Sequence, residues 1–244
     1  MSLANAYLQS VVDQIRQIET SQMEAVGKAG EFLSEALCAG KWLYVFGTGH
    51  SHMIAEELFY RAGGLARVRP MLVDDLMLHA SARRSTQVER DPAVVERLLS
   101  AYPMGKGDVL LVASNSGRNP VPIELVLQAR SRGVVVIALI NKRHSHAFES
   151  RHESGKRLGE IADVVLDNCG VVGDACVSLP ATDLSIGAVS TVTGALLVQM
   201  MAAEAIERAL AKGWNLEVFC SSNAGRESDN EALLDRYQRT VRHL

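Results

Sequence analysis

Trp42-Leu43-Tyr44-Val45-Phe46 runs without a charged residue into Gly47-Thr48-Gly49-His50-Ser51-His52. A short, unbroken apolar and aromatic run has no solvent face to offer, so it reads as a strand buried on both sides. The glycines that follow let the chain turn sharply and bring its backbone close to a ligand. Comparable runs recur at residues 66–73, 109–113, 134–140 and 164–166. Between them, residues 51–61, 92–101 and 120–132 carry helical patterns. Strands alternating with helices predict an α/β fold: a doubly wound, flavodoxin-like parallel sheet of five strands flanked by helices.

Outside this alternation, residues 1–40 read as helix, with apolar side chains at Leu8, Val11, Ile15 and Ile18 and again at Met23, Val26, Leu33 and Leu37. Gly40 stands where a glycine ends a helix. A long Ala/Met/Leu-rich helix is expected at about 186–211 and a charged one at 229–243. No Pro/Gly/Ser linker or internal repeat divides the chain. The expectation is one domain overall, with residues 1–40 as a helical extension and 41–244 as the sheet domain.

The 244 residues carry 25 Lys+Arg against 28 Asp+Glu, a net charge of -3, which provides no general field for nucleic acid or an anionic membrane. The longest aliphatic run, 134–140, falls far short of the roughly 20 residues needed to span a bilayer. Four cysteines make no Cys-x-x-Cys pair, and residues 1–22 lack the basic-then-apolar pattern of a secretory segment. These features predict a cytoplasmic protein acting on a small molecule, with neither nucleic acid nor membrane as partner.

Two loops are chemically informative. Gly47–His52 follows the first strand and opens a helix that Ser51 is expected to cap. Ser114-Asn115-Ser116-Gly117-Arg118-Asn119-Pro120 follows the third strand, with Asn119 as expected cap and Pro120 at the first helical position. Helix N-termini and hydroxyl-rich turns suit a phosphate. If the strand order is 2-1-3-4-5, the first and third strands are neighbours where the order reverses, and both loops bracket one phosphate. The candidate phosphate contacts are Gly49, His50, Ser51, Ser114, Asn115, Ser116, Gly117 and Asn119. A dinucleotide fits less well, because His52 replaces the third glycine of that fingerprint. Two His-Ser-His pairs, at 50–52 and 144–146, lie on separate loops, so no metal site is expected.

The stretch Phe46–Leu58 together with Ala113–Asn119 resembles the sugar isomerase (SIS) domain, as do Phe59-Tyr60-Arg61-Ala62-Gly63-Gly64-Leu65 and Ser154-Gly155-Lys156-Arg157-Leu158. The resemblance extends over nearly the whole chain and is greatest to single-domain bacterial members. It implies phosphosugar binding and dimers, or dimer-based oligomers, with sites near the subunit interface. It carries Ser51, Ser114, Ser116 and the Asn119 position over as phosphate contacts, although SIS domains commonly have Thr where this chain has Asn119. Glu57 falls where heptose-phosphate isomerases of this type have His, and Arg61 stands where they have a catalytic Glu.

Isomerisation needs a group to move a proton between adjacent carbons and another to open the sugar ring. The candidates are Glu57 for proton transfer, and His79 or His152 for ring opening. Glu89 joins them from the irregular stretch 74–90, which is long for such a connection. The basic run 141–157 reads as a loop able to close over an anion. The small and hydroxyl residues of the late helix suit close helix packing, and the resemblance to SIS domains implies that Ser190 or Thr191 borders the site. The function these readings favour is a cofactor-independent aldose–ketose phosphosugar isomerase. A non-catalytic phosphosugar sensor and an amino-sugar-phosphate lyase are the alternatives.

Overall fold

The computed structural model describes residues 1–223 and 227–244. Five parallel strands form the sheet: β1 (Leu43–Gly47), β2 (Val68–Pro70), β3 (Val109–Ala113), β4 (Val135–Ile140) and β5 (Val164–Asp167). Their order is β2-β1-β3-β4-β5, with Leu43 opposite Val109 and Gly47 opposite Ala113 across the central pair. The order reverses between β1 and β3, so the loops leaving these strands open side by side at the carboxyl edge. Every residue of β1 and of β3 is buried, which explains their unbroken apolar character.

Side chains alternate across the sheet and build a core on each face. Leu43, Val45 and Leu111 point to the side covered by α2 (Met23–Cys38), α3 (Met53–Leu58) and α9 (Ser190–Ala211). Tyr44, Phe46, Leu110 and Val112 point to the side covered by α5 (Val94–Ala101), α6 (Pro120–Ser131) and α8 (Leu158–Ile161). Along α2, Val26, Ala29, Leu33 and Leu37 are fully buried, so this helix is a layer of the core and not an appendage to it. A Cβ on its Gly30 would lie 2.7 Å from Glu204 Cβ, which shows how closely α2 and α9 approach.

The structure revises several expected boundaries. Residues 1–40 form two helices, α1 (Leu3–Ser21) and α2, broken at Gln22, whose side chain turns inward to accept from the Asp167 N–H at 2.9 Å. The stretch 51–61 is a 3₁₀ turn, Gly49–His52, followed by the six-residue α3, which ends before Tyr60 at φ +43°. Residues 74–90 are not irregular: they hold a 3₁₀ turn at Asp74–Leu76 and α4 (Leu78–Val88). Within α4 only Ser85 is buried, so its sequence carries no apolar stripe to announce a helix. The basic run contains α7 (Lys142–His146). The late helix begins at Ser190, because residues before it pair in an antiparallel hairpin, β6 (Ala175–Ser178) with β7 (Ser185–Ala188). The last helix, α10 (Glu227–Tyr237), stops short of the expected end, and Tyr237 and Val241 pack with Phe219 and Ala66 beside β2.

Candidate functional site

The first loop is shaped by glycine. A side chain on Gly47 would collide with the Ser51 carbonyl, so the chain can fold back only with no Cβ there. Gly49 takes φ +56°, and the Ser51 N–H donates to the Thr48 carbonyl at 3.0 Å. Ser51 therefore sits inside the turn and does not cap a helix as expected. Thr48 holds the cap position, but its hydroxyl donates to Glu89 Oε2 at 2.7 Å.

The second loop is also tied to Glu89. Asn119 occupies the N-cap position of α6, with Pro120 in its first turn, yet the Asn119 side chain makes no cap. Its Nδ2 donates to Glu89 Oε1 at 2.8 Å, and its Oδ1 accepts from Arg151 at 2.9 Å. The Val121 N–H at the start of α6 donates instead to the backbone carbonyl of Glu89, at 3.2 Å. Further back in the loop, the Gly117 N–H donates to Ser114 Oγ at 3.2 Å, and the Gly117 carbonyl accepts from Leu158 N–H at 2.8 Å. Gly117 has φ +58°, and a Cβ there would lie 3.1 Å from Ser145 Oγ.

These two loops share one cleft. Its open space is about 310 Å³, and it is lined by His50 and Ser51 from the first loop, Ser114 and Asn115 from the second, and Ser190 and Thr191 from α9. Asn168, just beyond β5, completes the polar lining, and Ile54, Ala113 and Leu139 supply an apolar floor. Asn168 Nδ2 donates to Asn115 Oδ1 at 2.9 Å and its Oδ1 accepts from Gly170 N–H at 3.0 Å. That leaves the Asn115 amide nitrogen free to donate. Asp174, at φ +71°, accepts from the Ser190 hydroxyl at 2.6 Å and from the Val189 and Ser190 N–H groups, fixing where α9 begins.

The sequence did not single out Asn168 or Gln14. Asn168 had one signal, a polar residue directly after a buried strand; the Gln14 side chain, which donates to the Asn168 carbonyl, had none.

Among the expected phosphate contacts, His50, Ser51, Ser114 and Asn115 line the cleft. Gly49, Ser116, Gly117 and Asn119 are not among its lining residues, although Ser116 follows Asn115 directly, and Gly117 and Asn119 face neighbours already described. None of the four acid/base candidates lines it. Glu57 is held between Arg61, at 2.8 Å, and Gln199 of α9, at 2.9 Å. His79 is exposed at the start of α4, its ring 6.1 Å from that of buried His52, whose Nδ1 pairs with the Gly49 carbonyl. His152 is buried against α6, with Nε2 3.1 Å from Glu124 and Nδ1 2.8 Å from Ser154. Glu89 is engaged by Thr48 and Asn119. His50 is thus the one titratable residue in the lining.

Positive charge gathers behind the second loop. Arg118 lies over the Phe148 ring at 5.3 Å, and its carbonyl accepts from the Arg151 N–H. Burial, then the charges of Arg118 and Arg90, press the Arg151 guanidinium below its ordinary range, with Glu89 opposing them. Neither Arg118 nor Arg151 forms an ion pair among the described residues. His144, which accepts from the Gly173 N–H at 3.1 Å, is held below the ordinary histidine range by burial and by Arg118. Among the described residues, no three His, Cys, Asp or Glu side chains are grouped to hold a metal.

The sequence pattern that defines the SIS domain matches residues 6–141. This chain belongs to the SIS domain family. It is 38% identical over 246 residues to a UPF0309 protein of Caldanaerobacter subterraneus subsp. tengcongensis, covering 99% of this chain and all of that one. It is also 38% identical over 240 residues to a UPF0309 protein of Listeria innocua, covering 98% and 97%. In fold it resembles a phosphoheptose isomerase of Francisella tularensis, with a TM-score of 0.56 at 17% identity over 84% of this chain and 96% of that one. The NanR protein of Vibrio vulnificus, solved with ManNAc-6P, gives 0.52 at 19% identity, over 87% of this chain and 65% of that one. The SIS chain's main sheet is five-stranded and parallel, between helices. No helix among its described residues is long and apolar enough to cross a membrane.

Proposed function

We propose that this chain binds a sugar phosphate in the cleft between the two loops and interconverts its aldose and ketose forms without a cofactor. The observation that carries this reading is the convergence of Ser51 and Ser114 on one cleft at the point where the strand order reverses. Hydroxyls of Ser51, Ser114 and Ser116, with backbone N–H groups of the Ser114–Asn119 loop at the start of the twelve-residue α6, hold the phosphate. Arg118 and Arg151, neither of them in an ion pair among the described residues, add a favourable field. Gly49 and Gly117 give the backbone its close approach, and Asn119 braces the loop.

At the other end of the sugar, His50 takes the proton from C2 of the open-chain aldose and returns it to C1, while a proton moves from the C2 hydroxyl to the carbonyl oxygen. The free Asn115 amide donates to that oxygen as it becomes an enediolate. His79, exposed near the first loop, assists ring opening. Glu57 steadies α3 against α9, His152 secures the basic segment on α6, and Glu89 joins the two loops. In this reading the active form is a dimer, for which exposed Leu8 of α1 and Leu184 of the hairpin turn offer apolar surface. Its place is a reducing cytoplasm, where its four thiols stay free.

The test is a thermal-shift series with pentose, hexose, heptose and amino-sugar phosphates, followed by proton NMR of each stabilising compound in D₂O. The expected result is stabilisation by a sugar phosphate together with loss of its C2 proton signal. Stabilisation by nucleotides and by no sugar phosphate would remove the reading.

A non-catalytic phosphosugar-binding role is the second reading, favoured by the Glu57–Arg61 pair, which engages a carboxylate where a reactive group was expected. Binding without C2 exchange would select it.

A further inference from the structure

Arg69 is a cation without a counter-charge. It leaves β2 between aromatic rings, with its guanidinium carbon 4.3 Å from the Trp42 ring centre and 5.3 Å from that of Tyr44. One of its N–H groups donates to the Tyr44 hydroxyl at 2.6 Å, and that hydroxyl donates onward to the Pro103 carbonyl. Its Nε is buried with no hydrogen-bond partner, and Arg69 forms no ion pair among the described residues. A partly buried guanidinium that keeps one N–H unpaired and no ion-pair partner is costly, unlike the solvated arginines found on any surface.

The cavity beside Arg69 compounds this. It is an open cavity whose space, counting the part open to solvent, is about 600 Å³ between β2, the end of α5 and the C-terminal segment, and it is lined by Arg69, Tyr102, Pro103, Arg239 and Arg242 with no carboxylate. Arg239 has no partner among the described residues, and Arg242 rests over the Tyr102 ring at 6.0 Å. Acidic Asp74 and Asp75 do not line this cavity but a neighbouring one that shares Arg242 with it, where Asp75 is already paired with Arg84 and Arg97. No residue of this cavity lines the cleft of the candidate site.

We infer that this cavity is a second binding site, specific for a diphosphate-bearing anion, with Arg69, Arg239 and Arg242 as its cationic walls. Three guanidinium groups in one cavity repel one another when it is empty, and planar N–H forks match phosphate oxygens. Their combined charge exceeds that of a single phosphate monoester, which selects a ligand with at least two phosphate groups. The flanking Tyr102 and Pro103 surfaces leave room for an organic group attached to it.

The experiment is isothermal titration calorimetry of the full chain with pyrophosphate and, separately, ADP, at low and at 0.3 M salt. The expected result is saturable binding that weakens with salt, and at least a tenfold loss in an Arg239→Glu/Arg242→Glu double variant, whose changes lie on the surface. Arg69→Met, which keeps the contact with Trp42, should lose binding similarly, and Ser116→Ala should retain it. ADP binding tenfold tighter than pyrophosphate makes a nucleotide the ligand, and equal binding makes it a free oligophosphate; both support the site. Unchanged binding in the double variant, loss in Ser116→Ala, or no binding of either compound at millimolar concentration overturns it. Because the Ser116→Ala arm reads the candidate phosphosugar site, the two can fail independently.

Discussion

Glu89 Oε1 accepts a hydrogen bond of 2.8 Å from Asn119, and the other oxygen of the same carboxylate accepts one of 2.7 Å from Thr48. One side chain at the end of α4 therefore fastens the loop after β1 to the loop after β3. Hydrogen bonds to a charged acceptor are worth about 1.5–3 kcal/mol each, and the loss of this one leaves two donors unpaired. Glu89→Ala is expected to lower stability by about 2–4 kcal/mol in urea unfolding and to weaken sugar-phosphate binding by calorimetry. Binding as tight as that of the parent chain would show that the loops keep their spacing without the clamp.

Ser116 and Ser51 test the cradle from opposite loops. Removing one hydroxyl from a phosphate contact is expected to cost about 1–2 kcal/mol, or roughly a tenfold rise in Kd. Ser116→Ala and Ser51→Ala should each show this in titrations with a stabilising sugar phosphate, with melting temperatures near that of the parent. Unchanged affinity in both would displace the phosphate from its proposed position.

Asp174 caps the N-terminus of α9 through the Ser190 N–H at 2.9 Å and the Ser190 hydroxyl at 2.6 Å. Loss of an N-cap typically costs about 0.5–2 kcal/mol, which in a chain of this length lowers Tm by about 2–6 °C. Asp174→Ala is expected to fall in that range by calorimetric scanning, whereas Asp174→Asn, which can still accept, should lose less.

His144 and His243 are both held below the ordinary histidine pKa of 6.5 by burial, with Arg118 reinforcing this at His144 and Arg242 at His243. The unfolded chain binds these protons more readily than the folded one, so their neutral forms favour folding above pH 6.5 and stability is lost as pH falls below it. Urea midpoints measured from pH 8 to pH 5 are expected to decline below pH 6.5. The decline should be shallower in His144→Gln/His243→Gln, and an identical slope would assign the acid sensitivity to other groups.

A side chain on Gly47 would meet the backbone of Ser51 and His52, neither of which can yield without moving β1 or α3. Gly47→Ala is expected to destabilise by at least about 3 kcal/mol, at the upper end for a single substitution, measured as the fall in urea midpoint.

The sheet and its order were legible because burial on both faces leaves strands with no polar residue, as at Val109–Ala113. The two loops could be placed for the same reason: each begins where such a run ends. What escaped was carried by residues whose local sequence has no pattern. α4 is exposed along nearly its whole length, so no apolar stripe marked it, and Glu89 at its end acts through partners 41 and 30 residues away. Ser51 and Asn119 have the residue types of helix caps, but Ser51 lies within the 3₁₀ turn and Asn119 turns its side chain to Glu89 and Arg151. Neighbour chemistry in sequence put His50 and Asn115 among the expected contacts, and both line the cleft; only the folded chain shows that Glu57 and His152 face partners elsewhere.

Gln14 reaches from α1 to the Asn168 carbonyl, and Asn168 in turn holds Asn115 at 2.9 Å. The first helix is thereby tied to a side-chain amide that lines the cleft. A substitution at Gln14 is consequently no neutral change for this molecule, since a shift of the first helix is relayed through two amides to the polar lining of the cleft.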